Sequence, residues 1–305
     1  MQDLILQYPV YTLEARELFP AGTVLSPATL AARYLSEKSA PVQTLSLLEY
    51  GSIREDILKF LGMPPYNFIF SAGELVAELM GTMETISLIS PFLEALDYFR
   101  KHDFYTYRHI LMVFALSILL AKEVLHDYRD RIHEIATSPT HDYGKICVPI
   151  PILKKSTPLT KTEYSTLKHH SAAGYALLSY YYKDAGNIFA KVALEHHERR
   201  NGSGYPRGIV LDDPLVEIIA ACDVYDALIS PRPYRPVSYN NRTALEEITK
   251  MAERSELGWE VVQALIALNR RAKSHFREIR VSEEKRGTPP EENFYGIIAE
   301  ENSNH

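Results

Sequence analysis

A His-Asp pair followed by a glycine and a lysine is the first group in the sequence that could do chemistry. His141-Asp142 precedes Tyr143-Gly144-Lys145, which gives the pattern HDxGK. Imidazole and carboxylate groups are ligands for divalent metal ions, and a lysine about one helical turn after the histidine can reach a phosphate oxygen. Two other His-Asp pairs, at positions 102 and 126, lack the glycine and the lysine, and a surface or core pair explains them well.

A second histidine cluster lies about fifty residues further on. His196-His197-Glu198 is followed by a glycine-rich stretch that ends in Gly204-Tyr205-Pro206. Two neutral imidazoles at the end of a helix can ligate a transition metal, and glycine lets the backbone approach an active site closely. A helix C-terminus whose histidines interact with the helix dipole, followed by a surface turn, is equally consistent with these residues.

The elements that must position these groups are predicted to be helices. Apolar residues recur at helical spacing throughout residues 92–275, and no stretch there alternates like a strand. The predicted helices cover 92–101, 105–127, 161–182, 188–198, 215–228, 243–254 and 259–275. Thr160 with Glu163 and Thr243 with Glu246 are predicted capping boxes. This part of the chain should therefore be an all-α domain.

The first 90 residues have a different pattern, and the sequence predicts a small α/β module there that is regulatory or dimerising. Short apolar runs alternate with turn signals such as Pro20-Ala21-Gly22, and residues 75–89 have helical spacing that ends at Ser90-Pro91. The predicted organisation is thus an N-terminal module over 1–90, a helical domain over 91–276 and a polar tail over 277–305. Within the tail, residues 294–298 could dock back. The fold class is mainly α.

Composition and charge exclude several classes of protein. Hydrophobic residues make up 46% and charged residues 24% of the 305 residues, as in ordinary globular proteins. The formal net charge of -6 argues against a general nucleic-acid-binding surface. Residues 141–235 nevertheless hold slightly more Lys and Arg than Asp and Glu, which suits a small anionic ligand.

The low cysteine content and the N-terminal residues, which do not resemble a signal peptide, predict a cytoplasmic protein. Cys147 and Cys222 are far apart and have no CxxC partner, so the sequence suggests neither disulfides nor a zinc ribbon. The N-terminal residues lack the basic region and the cleavage site of a signal peptide. The apolar stretch 110–121 is too short to span a bilayer and is predicted to be a buried core helix, with no membrane partner.

Taken in order, the motifs resemble the signature of the HD-GYP family of bacterial phosphodiesterases. HDxGK is followed by HHExxxGxGYP at 196–206. Between them, residues 168–174 resemble the family's middle histidine segment, with His170 four residues before Gly174. Residues 223–228 and 232–235 resemble its closing segment. The resemblance covers about residues 105–270, and several motifs in the right order are far more specific than one His-Asp pair.

The resemblance implies a site for two divalent transition-metal ions. Asp142 would bridge them, and the other ligands would be His109, His141 and Asp223 for one ion and His170, His196 and His197 for the other. Two such ions about 3.5 to 4 Å apart can share a hydroxide and hold a phosphodiester for in-line attack. Imidazole and carboxylate ligands suit iron or manganese, whereas structural zinc more often takes cysteine. Iron is the first expectation and manganese the second.

The resemblance also implies a substrate, cyclic di-GMP, and residues that bind it. These are Lys145, Tyr205, Arg232 and Arg235. The lysine and the arginines would meet phosphate oxygens, and Tyr205 would hydrogen-bond or stack with the substrate. Asp142 and Lys145 are the expected catalytic residues. The alternative for each cation is a solvated surface charge, and for Tyr205 it is packing against the domain.

Four positions depart from the family pattern. Some members place a glutamate, a ligand of a third metal, where this chain has Tyr105, and a phenol replaces a carboxylate poorly. We therefore expect two metals and the linear dinucleotide pGpG as product. Tyr143 replaces a small aliphatic residue and Asn201 a frequent aspartate, changes that could alter the pocket. Pro139 in the polar approach to His141 is predicted to start a helix.

Three functions remain open from the sequence. The first is a cyclic di-GMP phosphodiesterase that removes a second messenger. The second is a weakly active or inactive cyclic di-GMP-binding effector that signals to a protein partner through the Gly-Tyr-Pro loop or the N-terminal module. A homodimer is a further possible partner. The third is a phosphohydrolase for another cyclic dinucleotide, because metal ligands define a reaction better than they define a substrate.

Overall fold

A computed structural model of the chain describes residues 4–36, 42–128, 131–231, 237–270, 275–291 and 298–299. Helices account for most of the described residues, and short strands occur only before residue 90 among them. The predicted fold class, mainly α with a small α/β region at the N-terminus, is therefore confirmed.

The N-terminal region combines three strand pairs with four helices. Its elements are β1 (Leu4–Ile5), β2 (Val10–Tyr11), β3 (Glu17–Phe19), β4 (Val24–Leu25), α1 (Pro27–Leu35), β5 (Thr44–Ser46), α2 (Ile53–Leu61), α3 (Tyr66–Ile69), α4 (Gly73–Glu84) and β6 (Ser87–Ile89). The antiparallel pairs are β1 with β4, β2 with β3, and β5 with β6. In the last pair Leu45 lies opposite Leu88.

The prediction of one helical segment over 75–89 is wrong at its C-terminal end. The helix ends at Glu84, and residues 87–89 form β6 instead. Thr85 and Ile86 are β-branched, which weakens helix propensity, and the strand pairs with a segment some forty residues earlier. Long-range pairing of this kind overrides local spacing.

The remainder of the described chain is helical. Its elements are α5 (Ser90–His102), α6 (Phe104–Val124), α7 (Ile132–Ile135), a 3-10 helix (Ser138–Cys147), α8 (Ile150–Leu153), α9 (Lys161–Lys168), α10 (His170–Tyr182), α11 (Ile188–Glu195), α12 (Pro214–Ile229), α13 (Asn241–Glu253), α14 (Trp259–Leu268) and a short 3-10 turn (Phe276–Glu278). Each of the seven predicted helices has a counterpart, although several ends differ.

One predicted helix is two. The segment 161–182 divides at His169 into α9, which has no buried residue, and α10, most of whose residues are buried. The break separates a short surface helix from a core helix. The last predicted helix, 259–275, ends at Leu268, and residues 271–274 lie outside the described part of the chain.

The two predicted capping boxes have opposite outcomes. Thr160 accepts a hydrogen bond from the Glu163 N–H while Glu163 accepts one from the Thr160 N–H, so this capping box is confirmed. The second prediction is wrong, because α13 begins earlier and Asn240 is its N-cap, accepting from the N–H of Thr243. Asparagine is as good an N-cap as threonine, and spacing alone does not choose between them.

Helix α6 forms the centre of the core. It lies against α12, α5 and the 3-10 helix, while α10 lies against α11 and the 3-10 helix. At 21 residues α6 is longer than the apolar stretch seen in the sequence and is long and apolar enough to cross a membrane, but 83% of its most apolar window is buried inside the protein. The prediction of a buried core helix is confirmed.

The N-terminal region and the C-terminal tail both pack on this helical core. Helices α2 and α4 contact α6, α1 contacts α10, and the buried side chains of both regions form one continuous cluster. In the tail, Ala299 donates a backbone hydrogen bond of 2.8 Å to the Leu159 carbonyl. Residues 294–297 lie outside the described chain, so the predicted docking segment is seen only at its end.

Candidate metal centre

The 3-10 helix presents the HDxGK motif to the interior. Pro139 lies in its first turn, as predicted, and residues 138–144 are buried. The Nδ1 atom of His141 lies 2.6 Å from the Ser138 carbonyl, which fixes the ring within its own turn. Because 3-10 geometry turns every three residues, Lys145 lies over Asp142 rather than over His141. The Lys145 Nζ atom is 2.6 Å from Asp142 Oδ2.

Gly144 lets this helix approach α10 at backbone distance. A Cβ atom at this position would collide with the carbonyl of His170 and with the N–H of Gly174. A side chain larger than hydrogen would therefore force the two helices apart. The close approach brings His141 and Asp142 next to His170, which lies some thirty residues later in the chain.

Three elements contribute the first group of metal-ligand atoms. His109 on α6, His141 on the 3-10 helix and Asp223 on α12 are all buried and place one ligand atom each within 4.8 Å of the others. His109 Nε2 lies 3.0 Å from Asp223 Oδ1 and 3.4 Å from His141 Nε2. These residues span more than a hundred positions, and helix packing brings them together.

A second group lies beside the first. His170 at the start of α10 and His196 and His197 at the end of α11 also place their ligand atoms within 4.8 Å of one another. The Nε2 atoms of His170 and His196 are 3.2 Å apart. His197 is half-buried, and its ring stacks on Tyr205 with 4.5 Å between ring centroids.

Asp142 lies between the two groups. Its Oδ2 atom is 3.5 Å from His109 Nε2 and 3.4 Å from His141 Nε2, whereas Oδ1 faces the second group and is 3.6 Å from His170 Nε2. One carboxylate thus offers an oxygen to each group. This is the arrangement of a bridging ligand between two cations.

In three of these histidines, the Nδ1 atom is already hydrogen-bonded to a backbone carbonyl. The Nδ1 atoms of His141, His170 and His196 lie 2.6, 2.7 and 2.9 Å from backbone carbonyls, so they must be the protonated nitrogens. Each Nε2 then directs a lone pair into the site, as in most metal-bound histidines. The facing Nε2 lone pairs of His170 and His196, 3.2 Å apart, repel, and a cation between them would remove the repulsion. The donor set therefore fits two divalent cations.

Burial keeps the second group of histidines neutral. It lowers the pKa of His170 to about 4 and the pKa values of His196 and His197 well below the ordinary 6.5. Neutral imidazoles are the form that binds metal. In the first group burial also opposes the charge on His141, but Asp142 and Asp223 outweigh it and raise its pKa. The negative charges around the first group of ligand atoms therefore favour a cation there.

The carboxylates are held in their ionised form. Burial opposes the charge on Asp142, yet Lys145, His141 and His109 outweigh burial and hold its pKa well below the usual value. Asp223 behaves likewise, because its hydrogen bond with His109 and the charges of the nearby histidines outweigh burial. Both aspartates are therefore available as anionic ligands.

The Gly-Tyr-Pro loop is fastened by a residue to which we assigned no role from the sequence. Glu198 is fully buried, and its two oxygens accept hydrogen bonds from the backbone N–H groups of Arg207 at 2.8 Å and Ile209 at 3.1 Å. Gly204 lies so close to the backbone of His197 and Glu198 that a Cβ atom would not fit. A structural role for Glu198 could have been predicted from its position as the third residue of the HHExxxGxGYP motif.

Two further residues support the site and were missed. Asp226 accepts a hydrogen bond from His109, with 2.6 Å between Oδ2 and Nδ1, and Tyr66 of α3 contacts the other oxygen of Asp226. Asp226 could have been found, because it follows Asp223 by one turn of the same helix. No sequence signal points to Tyr66.

The predicted substrate-binding residues have different outcomes. Lys145 contacts Asp142 and Tyr205 stacks on His197, so both lie beside the candidate centre. Arg232 and Arg235 lie outside the described residues. Tyr105 lines a pocket beside His109 together with Arg108, Asp226, Ser230 and Pro231.

The other two departures do not alter the ligand atoms. The Tyr143 ring is buried and packs edge-on against Phe92, with 5.6 Å between centroids. Asn201 stabilises its own loop, because its side chain accepts from the Ser203 N–H at 3.0 Å and donates to the Arg254 carbonyl at 2.9 Å.

Comparison with known proteins agrees with the geometry. Residues 113–261 match a family profile described as an HD domain. The chain is 38% identical over 154 residues to the cyclic di-GMP phosphodiesterase response regulator RpfG of Xanthomonas campestris pv. campestris, a match that covers 50% of this chain and 39% of the relative. It is 34% identical over 191 residues to a cyclic di-GMP phosphodiesterase of Thermotoga maritima, covering 61% and 50%.

A third relative carries the name of a different substrate. The 3'3'-cGAMP-specific phosphodiesterase 1 of Vibrio cholerae is 36% identical over 159 residues, covering 51% of this chain and 36% of the relative. The chain spans half or less of the length of these three relatives. These matches show that residues 113–261 form an HD domain, and the ordered motifs around His141 and His196 are similar to those of the HD-GYP family.

Proposed function

We propose that this protein is a metal-dependent phosphodiesterase that hydrolyses cyclic di-GMP to pGpG. The observation that supports the proposal most directly is the position of Asp142, with one oxygen towards each group of donor atoms. Relatives named as cyclic di-GMP phosphodiesterases support the choice of substrate.

We assign seven residues as ligands of two cations that share Asp142. Apart from the shared aspartate, they are His109, His141 and Asp223 for the first cation and His170, His196 and His197 for the second. Iron is our first choice and manganese the second, because the donors are imidazoles and carboxylates. Among the described residues, neither group of candidate ligand atoms includes a cysteine, the ligand that structural zinc more often takes.

The proposed chemistry divides between the cations and the side chains. When bound, two adjacent divalent cations would polarise a phosphate and would lower the pKa of water enough to make hydroxide available as the nucleophile. Lys145 has its ammonium at the bridging carboxylate, close enough to contact a phosphate oxygen held there. Tyr205 is the proposed platform for the substrate, and Arg232 and Arg235 are proposed to bind its phosphates.

Product and cation number are linked through Tyr105. This phenol lines the pocket beside His109, at the position where some family members have a glutamate ligand. A neutral phenol does not replace a carboxylate, so we propose two cations and pGpG rather than GMP as the product.

Two alternatives remain specific enough to test. A 3'3'-cGAMP phosphodiesterase is favoured by the relatives that carry that name. A binding effector with little turnover would keep the same ligand atoms and signal to a protein through the Gly-Tyr-Pro loop or the N-terminal module. We propose that residues 1–90 form the regulatory or dimerising module, residues 91–276 the catalytic domain and residues 277–305 a tail, in a cytoplasmic protein.

One experiment separates these functions. The full chain is purified without oxygen, supplied with iron or manganese, and assayed for metal content and for turnover of cyclic di-GMP and 3'3'-cGAMP. The test variant is His141→Ala plus Asp142→Ala. The matched control is His126→Ala plus Asp127→Ala, which removes the same two side chains from an exposed His-Asp pair.

The proposal predicts about two metals per chain, pGpG formation from cyclic di-GMP, and loss of both in the test variant alone. GMP as the end product would contradict the assignment of Tyr105. Faster turnover of 3'3'-cGAMP would favour the second substrate, and metal with ligand binding but no turnover would favour the effector. A wild-type protein that binds no metal would overturn all three.

A further inference from the structure

A buried hydrogen-bond chain connects the N-terminal region to the candidate metal centre. The Tyr66 hydroxyl contacts Asp226 Oδ1, and Asp226 Oδ2 lies 2.6 Å from His109 Nδ1. His109 in turn directs Nε2 at Asp223, 3.0 Å away. The chain runs from α3, inside residues 1–90, to an atom that faces the site.

Tyr66 is firmly held at the end of this chain. Its side chain is fully buried, and α3 is anchored by Ile69, which is 1% exposed. The Arg108 guanidinium lies 5.6 Å from the centre of the Tyr66 ring, a cation–π distance. The tyrosine is therefore a buried residue held behind Asp226 rather than a surface residue.

Asp226 depends on donors for its orientation. Oδ1 meets the Tyr66 hydroxyl and the Ser230 hydroxyl, the latter at 3.0 Å, and these contacts fix the plane of the carboxylate. The plane of the carboxylate fixes where Oδ2 receives the His109 N–H. In metal sites, a hydrogen bond from the non-ligating nitrogen of a histidine to a carboxylate fixes the orientation of the ring and raises the basicity of the ligating nitrogen. Loss of such a contact typically weakens metal affinity about 10- to 100-fold.

We propose that Tyr66 is a positioning residue for His109, so that the seating of the N-terminal region sets the affinity of the first metal group. The inference rests on the proposed two-metal site and deepens it. Residues 113–261, the part that matches the HD domain, include Asp226 but neither Tyr66 nor His109. The N-terminal region thereby supplies a part of the site, and a signal that shifts α3 would act on metal binding.

The test is manganese binding by the full-length, metal-free protein. Bound manganese is measured from the loss of the EPR signal of aqueous Mn²⁺, and the spectrum of the bound ions reports whether they are coupled as a pair. Tyr66→Phe keeps the ring and removes the hydroxyl. We expect one of the two manganese ions to bind about 10- to 100-fold more weakly, with loss of the coupled signal at limiting metal.

A matched control removes a similar hydroxyl elsewhere in the same interface. Tyr107 is also buried, and its hydroxyl donates to Asp56 Oδ2 at 2.8 Å, joining α6 to the N-terminal region without touching the candidate ligands. Tyr107→Phe should leave manganese affinity and the coupled signal unchanged. Thermal unfolding of both metal-free variants measures the general loss of stability, which a purely structural role would share.

Ser230→Ala provides a second variant that removes the other donor to the same oxygen of Asp226. It should weaken manganese binding in the same direction as Tyr66→Phe. Wild-type affinity in both variants, or an equal loss in Tyr107→Phe, would overturn the role of Tyr66 and leave the proposed function intact. A wild-type protein that binds no manganese or iron would overturn the proposed function first, and this inference with it.

Discussion

At the scale of single residues, Asp142 is the side chain on which the proposed site depends most. It is buried and ionised, and it faces three imidazole nitrogens and one ammonium at distances between 2.6 and 3.6 Å. A buried carboxylate keeps its charge only with such compensation. Neutralising Asp142 would leave the Lys145 ammonium, and any cations held there, without their shared counter-charge.

Asp142→Asn should therefore abolish the shared metal site. The amide keeps the size of the side chain but loses the charge, so we expect metal content to fall below half of the wild-type value and turnover to fall by roughly 100-fold or more. Metal analysis and pGpG formation measure both effects. Asp127→Asn, in the exposed His-Asp pair, is the control, and retention of two metals by Asp142→Asn would contradict the bridging role.

His169 supplies a prediction about acid stability. Burial lowers the pKa of this histidine to about 4, whereas in the unfolded chain it is about 6.5. Between these pH values the unfolded state binds more protons, so stability is full above about pH 6.5 and falls as the pH decreases towards 4. The contribution is about 3 kcal/mol over the full range.

His169→Gln should remove this contribution. The variant is expected to lose less stability than the wild-type chain between pH 6.5 and 4, measured as the thermal midpoint of the metal-free proteins. The histidines of the candidate metal centre titrate in both proteins, so the difference between the two curves isolates His169. Parallel curves would show that His169 is not neutral in the folded state.

At the scale of elements, the contact between the 3-10 helix and α10 decides the geometry of the site. Gly144 has no room for a Cβ atom because the carbonyl of His170 lies against it. Gly144→Ala should lower stability by about 2–4 kcal/mol and displace His170 relative to Asp142. Thermal unfolding and metal content measure the two effects.

Gly81→Ala is the matched control for this change. Gly81 lies within α4, and a Cβ atom there would meet nothing within 4 Å. Alanine is a better helix former than glycine, so this substitution should stabilise the protein by about 0.5–1 kcal/mol. A Gly144→Ala variant with wild-type stability and metal content would contradict the close approach of the two helices.

The Gly-Tyr-Pro loop depends on Glu198. Glu198→Gln replaces one of the two acceptor oxygens that hold Arg207 and Ile209, and a hydrogen bond to a charged acceptor contributes about 1.5–3 kcal/mol. We expect the loop to loosen and the KM for cyclic di-GMP to rise about 10-fold, with metal content unchanged. Steady-state kinetics and metal analysis measure these quantities.

Glu246→Gln makes the same chemical change away from the site. Glu246 also accepts from two backbone N–H groups, those of Arg286 at 3.2 Å and Gly287 at 2.6 Å, where the tail crosses α13. Its kinetics should match the wild type. Should Glu198→Gln lose metal instead of raising the KM, Glu198 would act on the adjacent His197 rather than on the loop.

At the scale of the whole molecule, the N-terminal region and the helical region share one core. Contacts between them include Arg16 with the Tyr180 hydroxyl at 2.8 Å and Gln7 with Ser165 at 2.7 Å, in addition to the buried apolar cluster. The proposed boundary near residue 90 therefore lies within a continuous interior and does not separate two independent cores.

Removal of residues 1–90 should consequently unfold the remainder. Tyr107 of α6 is buried and its ring lies 6.4 Å from that of Phe60 in α2, so it would lose this cover, and each large apolar side chain that becomes exposed costs about 1.5–3 kcal/mol. A few such losses exceed the total stability of a typical domain, about 5–15 kcal/mol. Residues 91–305 expressed alone should aggregate or lack a cooperative thermal transition.

Co-expression of residues 1–90 as a separate chain is the control, and it should restore soluble protein that binds metal. Size-exclusion chromatography and metal analysis measure both properties. A soluble fragment 91–305 with wild-type metal content would contradict the shared core, and it would also count against the role proposed for Tyr66.

The predictability of the fold varied with the range of the interactions. Helices such as α12 were predicted nearly to their ends, because buried helical spacing is a local pattern. The end of α4, the break at His169 and the N-cap of α13 were wrong or missed. At the end of α4, strand pairing determined the structure, at His169 burial did, and at the start of α13 a competing N-cap did. The local sequence pattern alone did not distinguish between these outcomes.

The sequence by itself determined which residues are candidate ligands, because imidazole and carboxylate groups in ordered motifs define metal chemistry locally. The family resemblance implied that His109 and His197 belong to adjacent groups with Asp142 between them, but only the tertiary structure gave the distances that bring these side chains together. It alone decided that Tyr66 reaches Asp226. The physical reason is that ligand identity is a property of single side chains, whereas distance and support arise from helices packed across the whole chain.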